Sequence, residues 1–159
     1  MNRMHELLQN LADRGLTLGS VESMTGGLFA GQATSIPGAS NVFKGGLVVY
    51  SAELKSKLLG IDPALIESEG VVSQIVAENM ARKGREVLGV DVVIAITGNA
   101  GPTTEEGEEP VGKVYLGLAT KDGVWAFGYE FSGERNAIRT QAVDLMVTFG
   151  LSQFSKVVE

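Results

Sequence analysis

Ser20-Val21-Glu22-Ser23-Met24-Thr25-Gly26-Gly27-Leu28-Phe29-Ala30 is the stretch from which the rest of the chain is read. The apolar run Leu16-Thr17-Leu18-Gly19 just before it predicts a strand, and the run after the two glycines has helix-like composition. A Ser at a strand-to-helix turn projects its hydroxyl from the sheet edge, and glycine lets a ligand approach the backbone closely. Free N–H groups at the start of the following helix suit an anion or a developing oxyanion. The plainer reading makes Ser23 or Thr25 a helix cap. The motif by itself favours the cap, and the choice turns on residues further along.

On the amino-terminal side, Met4, Leu7, Leu8 and Leu11 recur at helical spacing and give a first helix that stops at Gly15. A first strand over 16–21 and a helix to about position 34 follow, then the turn-rich Ile36-Pro37-Gly38-Ala39-Ser40. Leu47-Val48-Val49-Tyr50 reads as a second strand entered through the flexible pair Gly45-Gly46. Ser51 caps a short helix ended by Gly60, and Asp62-Pro63 opens another. Val72, Ile75, Val76, Met80, Gly84 and Val87 trace a longer helix, capped near Ser73 and ended by Gly89.

The nearly unbroken apolar run over 91–97 predicts a central strand covered on both faces. A long polar loop over 98–112 comes next, and loops of that length in compact domains are functional or mobile. Residues 113–120 and 124–131 form a hairpin through Lys121-Asp122-Gly123. Ser132 then caps a last helix whose Ile138, Ala142, Leu145, Met146 and Phe149 share a face, with a frayed tail beyond Ser152. There is no internal repeat. Strands alternating with helices and closed by a hairpin predict an α/β domain, a three-layer α/β/α sandwich with a mixed, mostly parallel sheet, spanning residues 1–159 as one unit.

Composition excludes several chemistries. The net charge of −6 offers no basic surface for a phosphate backbone, so nucleic acid is not an expected partner. No apolar run has the length of a membrane span and the start lacks a signal-peptide pattern, so the expected compartment is the cytoplasm. With no cysteine, disulfides, thiol catalysis and thiolate metal sites are all removed. The only histidine, His5, reads as an exposed residue of the first helix, leaving a Ser-His-Asp apparatus without a base and a zinc site short of nitrogen ligands. Glu105, Glu106, Glu108 and Glu109 lack calcium-loop spacing and read as a solvated loop. Neither a metal nor another cofactor is expected.

In open α/β sheets ligands sit beyond the carboxyl ends of the strands. Ser23 follows strand one, Tyr50 and Lys55 follow strand two, and Thr97 and Gly98 close strand three. If these strands are parallel, the five residues converge. Lys55 lies in the first turns of its helix, where the dipole disfavours a cation, and burial pushes an amine further toward neutrality. A neutral lysine can take a proton from Ser23, so Ser23 and Lys55 form a feasible nucleophile–base pair, with Tyr50 able to relay the proton or hold the amine. The competing readings are a solvated surface lysine and a core-packed strand-end tyrosine. Arg135 and Arg139, one turn apart at the start of the last helix, suggest an anionic ligand or surface pairing with nearby glutamates.

Ordered motifs run along nearly the whole chain: 21–27 (VESMTGG), 37–40 (PGAS), 43–46 (FKGG), 50–55 (YSAELK), 70–73 (GVVS), 97–102 (TGNAGP), 110–114 (PVGKV) and 131–135 (FSGER). In these the sequence resembles the CinA C-terminal family in its stand-alone form. Met24, Ala52, Asn99 and Thr103-Thr104-Glu105 depart from the residues usual in that family. The resemblance implies a nicotinamide-nucleotide amidase that converts NMN to nicotinic acid mononucleotide and ammonia. It implies catalysis by Ser23 and Lys55 with Tyr50 nearby. Substrate contacts are expected from Thr25, Gly26, Gly27, Thr97, Gly98, Gly101 and Arg135, the last holding the 5′-phosphate. The expected partner is a small-molecule nucleotide, and self-association into a homo-oligomer is common for such domains. The competing expectation is a non-catalytic nucleotide- or partner-binding module of the competence- or damage-inducible type.

Overall fold

The computed structural model describes residues 2–104 and 107–156. Chain order gives α1 (Arg3–Asp13), β1 (Leu18–Glu22), α2 (Leu28–Thr34), a 3-10 turn (Ala39–Asn41), β2 (Phe43–Val48), α3 (Ala52–Leu59) and α4 (Pro63–Glu69). Then follow α5 (Gln74–Leu88), β3 (Val92–Gly98), β4 (Lys113–Thr120), β5 (Gly123–Glu130) and α6 (Arg135–Gln153). The strands form one sheet in the order β2-β1-β3-β4-β5. β1 pairs in parallel with β2 and β3, whereas β4 is antiparallel to both β3 and β5. Four strands therefore run one way and β4 alone opposes them.

Burial divides along the period-two rule of a strand. On β3, Val92, Ile94 and Ile96 pack with Met4, Leu7 and Leu11 of α1, Phe29 of α2 and Met146 of α6. The alternate residues Val93 and Ala95 face Val76 and Met80 of α5, together with Leu59 and Ile66. A strand covered on both faces has no polar side to alternate with, which is why residues 92–97 read as one apolar run. The expected three-layer α/β/α architecture is the one observed. Across the α5 face, a Cβ on Gly84 would stand 2.4 Å from Val21 Cγ2 and one on Gly117 would stand 2.4 Å from the Ala77 carbonyl oxygen. Those two hydrogens set how closely α5 approaches the sheet.

Helix starts follow capping chemistry: Ser51 Oγ accepts from Leu54 N, Asp62 from Ala64 N, and Ser73 from Val76 N. Several boundaries differ from the sequence reading. Gly45 and Gly46 lie inside β2, and Tyr50 lies beyond its end. Gly46 is a point of close approach, because a Cβ there would stand 2.5 Å from Ser20 Oγ on β1. Ser132 does not cap α6; its carbonyl accepts from Gln141 Nε2, and Glu134 holds the cap position without a side-chain bond. The chain beyond Ser152 is docked up to Ser155: Asn10 Nδ2 donates to the Phe154 carbonyl and an Arg14 guanidinium nitrogen to that of Ser155. His5 is half-buried rather than exposed. Among the described residues no helix is long and apolar enough to cross a membrane.

Candidate active site

Because β1, β2 and β3 are parallel, their carboxyl ends share one edge of the sheet. A cleft of about 260 Å³ opens there, lined by Ser23 and Met24 after β1, Tyr50, Ala52 and Lys55 after β2, Val71 and Val72 before α5, residues 97–100 at the end of β3, and Arg135. All five residues expected to converge line this one cleft. A larger hollow of about 640 Å³ lies between α3 and α4, around Gly60, Pro63 and Ile66. It contains neither Ser23 nor Lys55, which come together in the smaller cleft.

At the floor of that cleft Lys55 is only 1% exposed and Ser23 only 6%. The Lys55 amine donates to Ser23 Oγ at 3.0 Å and to the Val49 carbonyl at 2.9 Å. Burial lowers its pKa from the usual 10.5 to about 8. Ser23 is fixed from below, its N–H donating to the Ile96 carbonyl of β3. The hydroxyl of Thr97 donates to the Val71 carbonyl at 2.9 Å, which ties the end of β3 to the segment before α5.

Tyr50 is 62% exposed and stands at the rim. Its hydroxyl accepts from an Arg135 guanidinium nitrogen at 2.9 Å, and another Arg135 nitrogen donates to the Gly101 carbonyl. Tyr50 thus meets Arg135 rather than the lysine amine. Gly101 joins the site through its carbonyl oxygen, its own position being packed against Val111. Asn99, which lines the cleft, accepts from Gly101 N at 3.0 Å through Oδ1 and so shapes the turn beneath that carbonyl.

The turn after Ser23 departs from the sequence reading in three ways. Neither Ser23 nor Thr25 caps α2, whose cap position is Gly27. The cap is Glu22, a buried carboxylate whose Oε1 accepts from Phe29 N at 3.0 Å and whose Oε2 accepts from Ala30 N at 3.1 Å. Thr25 is buried, with its hydroxyl donating to the same carboxylate at 2.6 Å, so its side chain does not reach the cleft. Gly26 N–H is taken by the Ser23 carbonyl at 3.1 Å, which removes it from any oxyanion site. Arg139 neither pairs with a glutamate nor stands free: it donates to the carbonyls of Met24 at 2.9 Å and Thr25 at 3.3 Å. Sequence reasoning missed Glu22 and the backbone partners of Arg139. A carboxylate in a strand that otherwise carries no charge was the available signal for Glu22.

The family model of the CinA C-terminal domain matches residues 2–153. The chain belongs to the CinA C-terminal domain family. A CinA-like protein of Geobacter sulfurreducens is 48% identical over 128 residues, which are 80% of this chain and 31% of that relative. This chain thus spans about a third of the length of the curated relatives it matches. Among solved CinA-superfamily structures, the competence or damage-inducible protein of Enterobacter asburiae superposes with a TM-score of 0.93 at 29% identity, covering 96% of both chains. The CinA superfamily protein of Escherichia coli superposes with a TM-score of 0.91 at 30% identity, covering 96% of this chain and 88% of that one. The mixed α/β sandwich is therefore the CinA fold. Among the described residues no group of three or more His, Asp or Glu is placed to hold a metal ion.

Proposed function

We propose that this CinA-family chain is an amidohydrolase that converts NMN to nicotinic acid mononucleotide and ammonia through an acyl-enzyme on Ser23. The observation that carries the reading is the buried Ser23–Lys55 contact of 3.0 Å at the floor of a cleft whose rim bears Arg135. One N–H of the lysine amine is held by the Val49 carbonyl, which orients the nitrogen toward Ser23. When Lys55 is neutral, its lone pair takes the serine proton as Oγ bonds to the carboxamide carbon. The carbonyl π electrons pass to oxygen, and backbone N–H groups of the turn after Ser23 meet the oxyanion. Collapse breaks the C–N bond, Lys55 hands its proton to the departing ammonia, and an acyl ester remains on Ser23. A water that gives a proton to Lys55 then attacks the ester, the proton returns to Ser23 Oγ as the C–O bond breaks, and the carboxylic acid released loses its own proton to solvent.

A cleft of this volume suits a small molecule, and its one cationic rim group suits a single phosphate. Tyr50, beside that group, helps frame the phosphate end rather than relaying the proton.

Ammonia release from NMN by the purified chain is the test. Ser23→Ala and Lys55→Ala should each lower kcat by about 10³-fold or more, as for members of one catalytic unit. Turnover unchanged by either substitution overturns the assignment. NMN binding without ammonia release marks the non-catalytic module instead.

A further inference from the structure

Acyl transfer at Ser23 needs a hydrogen-bond donor where the carbonyl oxygen becomes negative. The start of α2 does not supply one. Leu28 N donates to the Thr25 carbonyl, while Phe29 N and Ala30 N are taken by Glu22. Gly26 N is held by the Ser23 carbonyl. On the turn itself, the N–H groups of Met24, Thr25 and Gly27 have no partner among the described residues.

Arg139 grips this turn from the side of α6. Its Nε donates to the Met24 carbonyl at 2.9 Å, one Nη donates to the Thr25 carbonyl at 3.3 Å, and the other donates to Asn136 Oδ1 at 3.0 Å. A Cβ added to Gly26, whose φ is +61°, would stand 3.2 Å from the same guanidinium, so the group lies across that glycine. With each of its nitrogens engaged by the protein, Arg139 is poorly placed to hold a phosphate. Unlike Arg135, it does not line the cleft.

A trans peptide is planar, and its C=O and N–H point in opposite directions. The carbonyl of Met24 and the N–H of Thr25 belong to one peptide. A donor that fixes the first also fixes the second, on the side facing away from the donor. We infer that Arg139 is a positioning residue: by holding the Met24 carbonyl it aims the Thr25 N–H at the oxyanion formed when Ser23 attacks. This rests on the Ser23–Lys55 reading. It assigns the Thr25 backbone, whose side chain is buried elsewhere, as the donor.

The test uses Arg139→Gln, Arg139→Lys and Arg139→Ala in the full chain, with two readouts. One is kcat and KM for NMN. The other is the rate at which a small alkyl fluorophosphonate modifies Ser23, followed by intact mass. In that step the Ser23 Oγ–P bond forms, fluoride leaves, Lys55 takes the serine proton, and the phosphoryl oxygen needs the same donor. Arg139→Gln should lower kcat by about 10²-fold, the scale of one lost oxyanion donor, and slow labelling by a similar factor. KM should stay within about threefold, because the lost contact belongs to the transition state. The lower limb of the pH profile should not move, since Lys55 is untouched. Arg139→Lys should recover part of the rate, and added ethylguanidinium should restore about tenfold or more to Arg139→Ala.

A loss confined to KM, a loss that only tracks the unfolded fraction, or unaltered labelling overturns the inference. If the unsubstituted chain labels at Ser23 but releases no ammonia from NMN, the substrate reading fails and the labelling rates alone decide the role of Arg139. If it neither labels nor turns over, both readings fall.

Discussion

Lys55 Nζ and Ser23 Oγ are 3.0 Å apart although 32 positions separate them in the chain. The amine is also bonded to the Val49 carbonyl, so its protonation state decides the sense of the serine contact. A charged amine donates to Ser23 and holds the hydroxyl oxygen; a neutral one offers its lone pair to the hydroxyl proton. With a pKa of about 8, roughly a tenth of the amine is neutral at pH 7. The expected kcat/KM for NMN rises tenfold per pH unit below about pH 8 and levels off above it. A rate constant across pH 6–9 that does not change removes Lys55 as the base.

The same shift has a stability consequence of opposite sense to that of a paired lysine. Between about pH 8 and 10.5 the unfolded chain holds the Lys55 proton more tightly than the folded one. Stability contributed at this residue therefore rises with pH through that window, and below it the full cost of burying the charge is present, worth about 3 kcal/mol. Lys55→Met removes the charge while keeping most of the volume, at the loss of two hydrogen bonds. We expect an inactive protein at pH 7 whose melting temperature is unchanged or higher by about 2–4 °C. Calorimetry at pH 7 and pH 9.5 checks both the sign and the pH trend; a drop of similar size at pH 7 contradicts it.

Arg135 faces the cleft with its guanidinium shared between Tyr50 and the Gly101 carbonyl. A phosphate would compete for those donors. Arg135→Ala should raise KM for NMN by about 10–100-fold with kcat nearly unchanged, the pattern of a uniform binding contact. Nicotinamide riboside, which lacks the phosphate, should be turned over equally by both proteins. Equal sensitivity of the two substrates would move Arg135 out of phosphate binding.

Glu22 organises the turn that carries Ser23, accepting from one hydroxyl and two backbone N–H groups while 1% exposed. Glu22→Gln places an amide nitrogen where an acceptor is needed and should cost about 2–3 kcal/mol in urea denaturation, with activity falling further than the folded fraction does. A variant within experimental error of the parent would show that the turn holds its shape without the carboxylate.

The fold was legible because its strongest signals are physical ones. The apolar run of β3 and the 3.6-residue stripe of α5 each report burial that the sheet then supplies. The convergence of Ser23, Tyr50, Lys55, Thr97 and Gly98 on one cleft was also legible, since parallel strands bring their carboxyl ends together. What was not legible depends on contacts between distant segments. Gly46 reads as flexible until Ser20 is seen against it, and Arg139 reads as a surface cation until the Met24 and Thr25 carbonyls are placed before it. Glu22 capping a helix that starts six residues later follows no local template. The Glu105 and Glu106 part of the acidic loop lies outside the described residues.

The segment between β3 and β4 is pinned at its base: Asn99 N donates to the Lys113 carbonyl, Gly112 N to that of Asn99, and Phe131 N to that of Gly112. Its two ends are thereby stapled to the hairpin, while Ser23 and Lys55 draw their positions from β1, β3 and α3. The turn that carries Asn99 and the Gly101 carbonyl is therefore anchored independently of the Ser23–Lys55 pair. Substitutions in the β4–β5 hairpin can thus shift where the Gly101 carbonyl meets Arg135, and so retune the mouth of the cleft, without disturbing the serine–lysine contact.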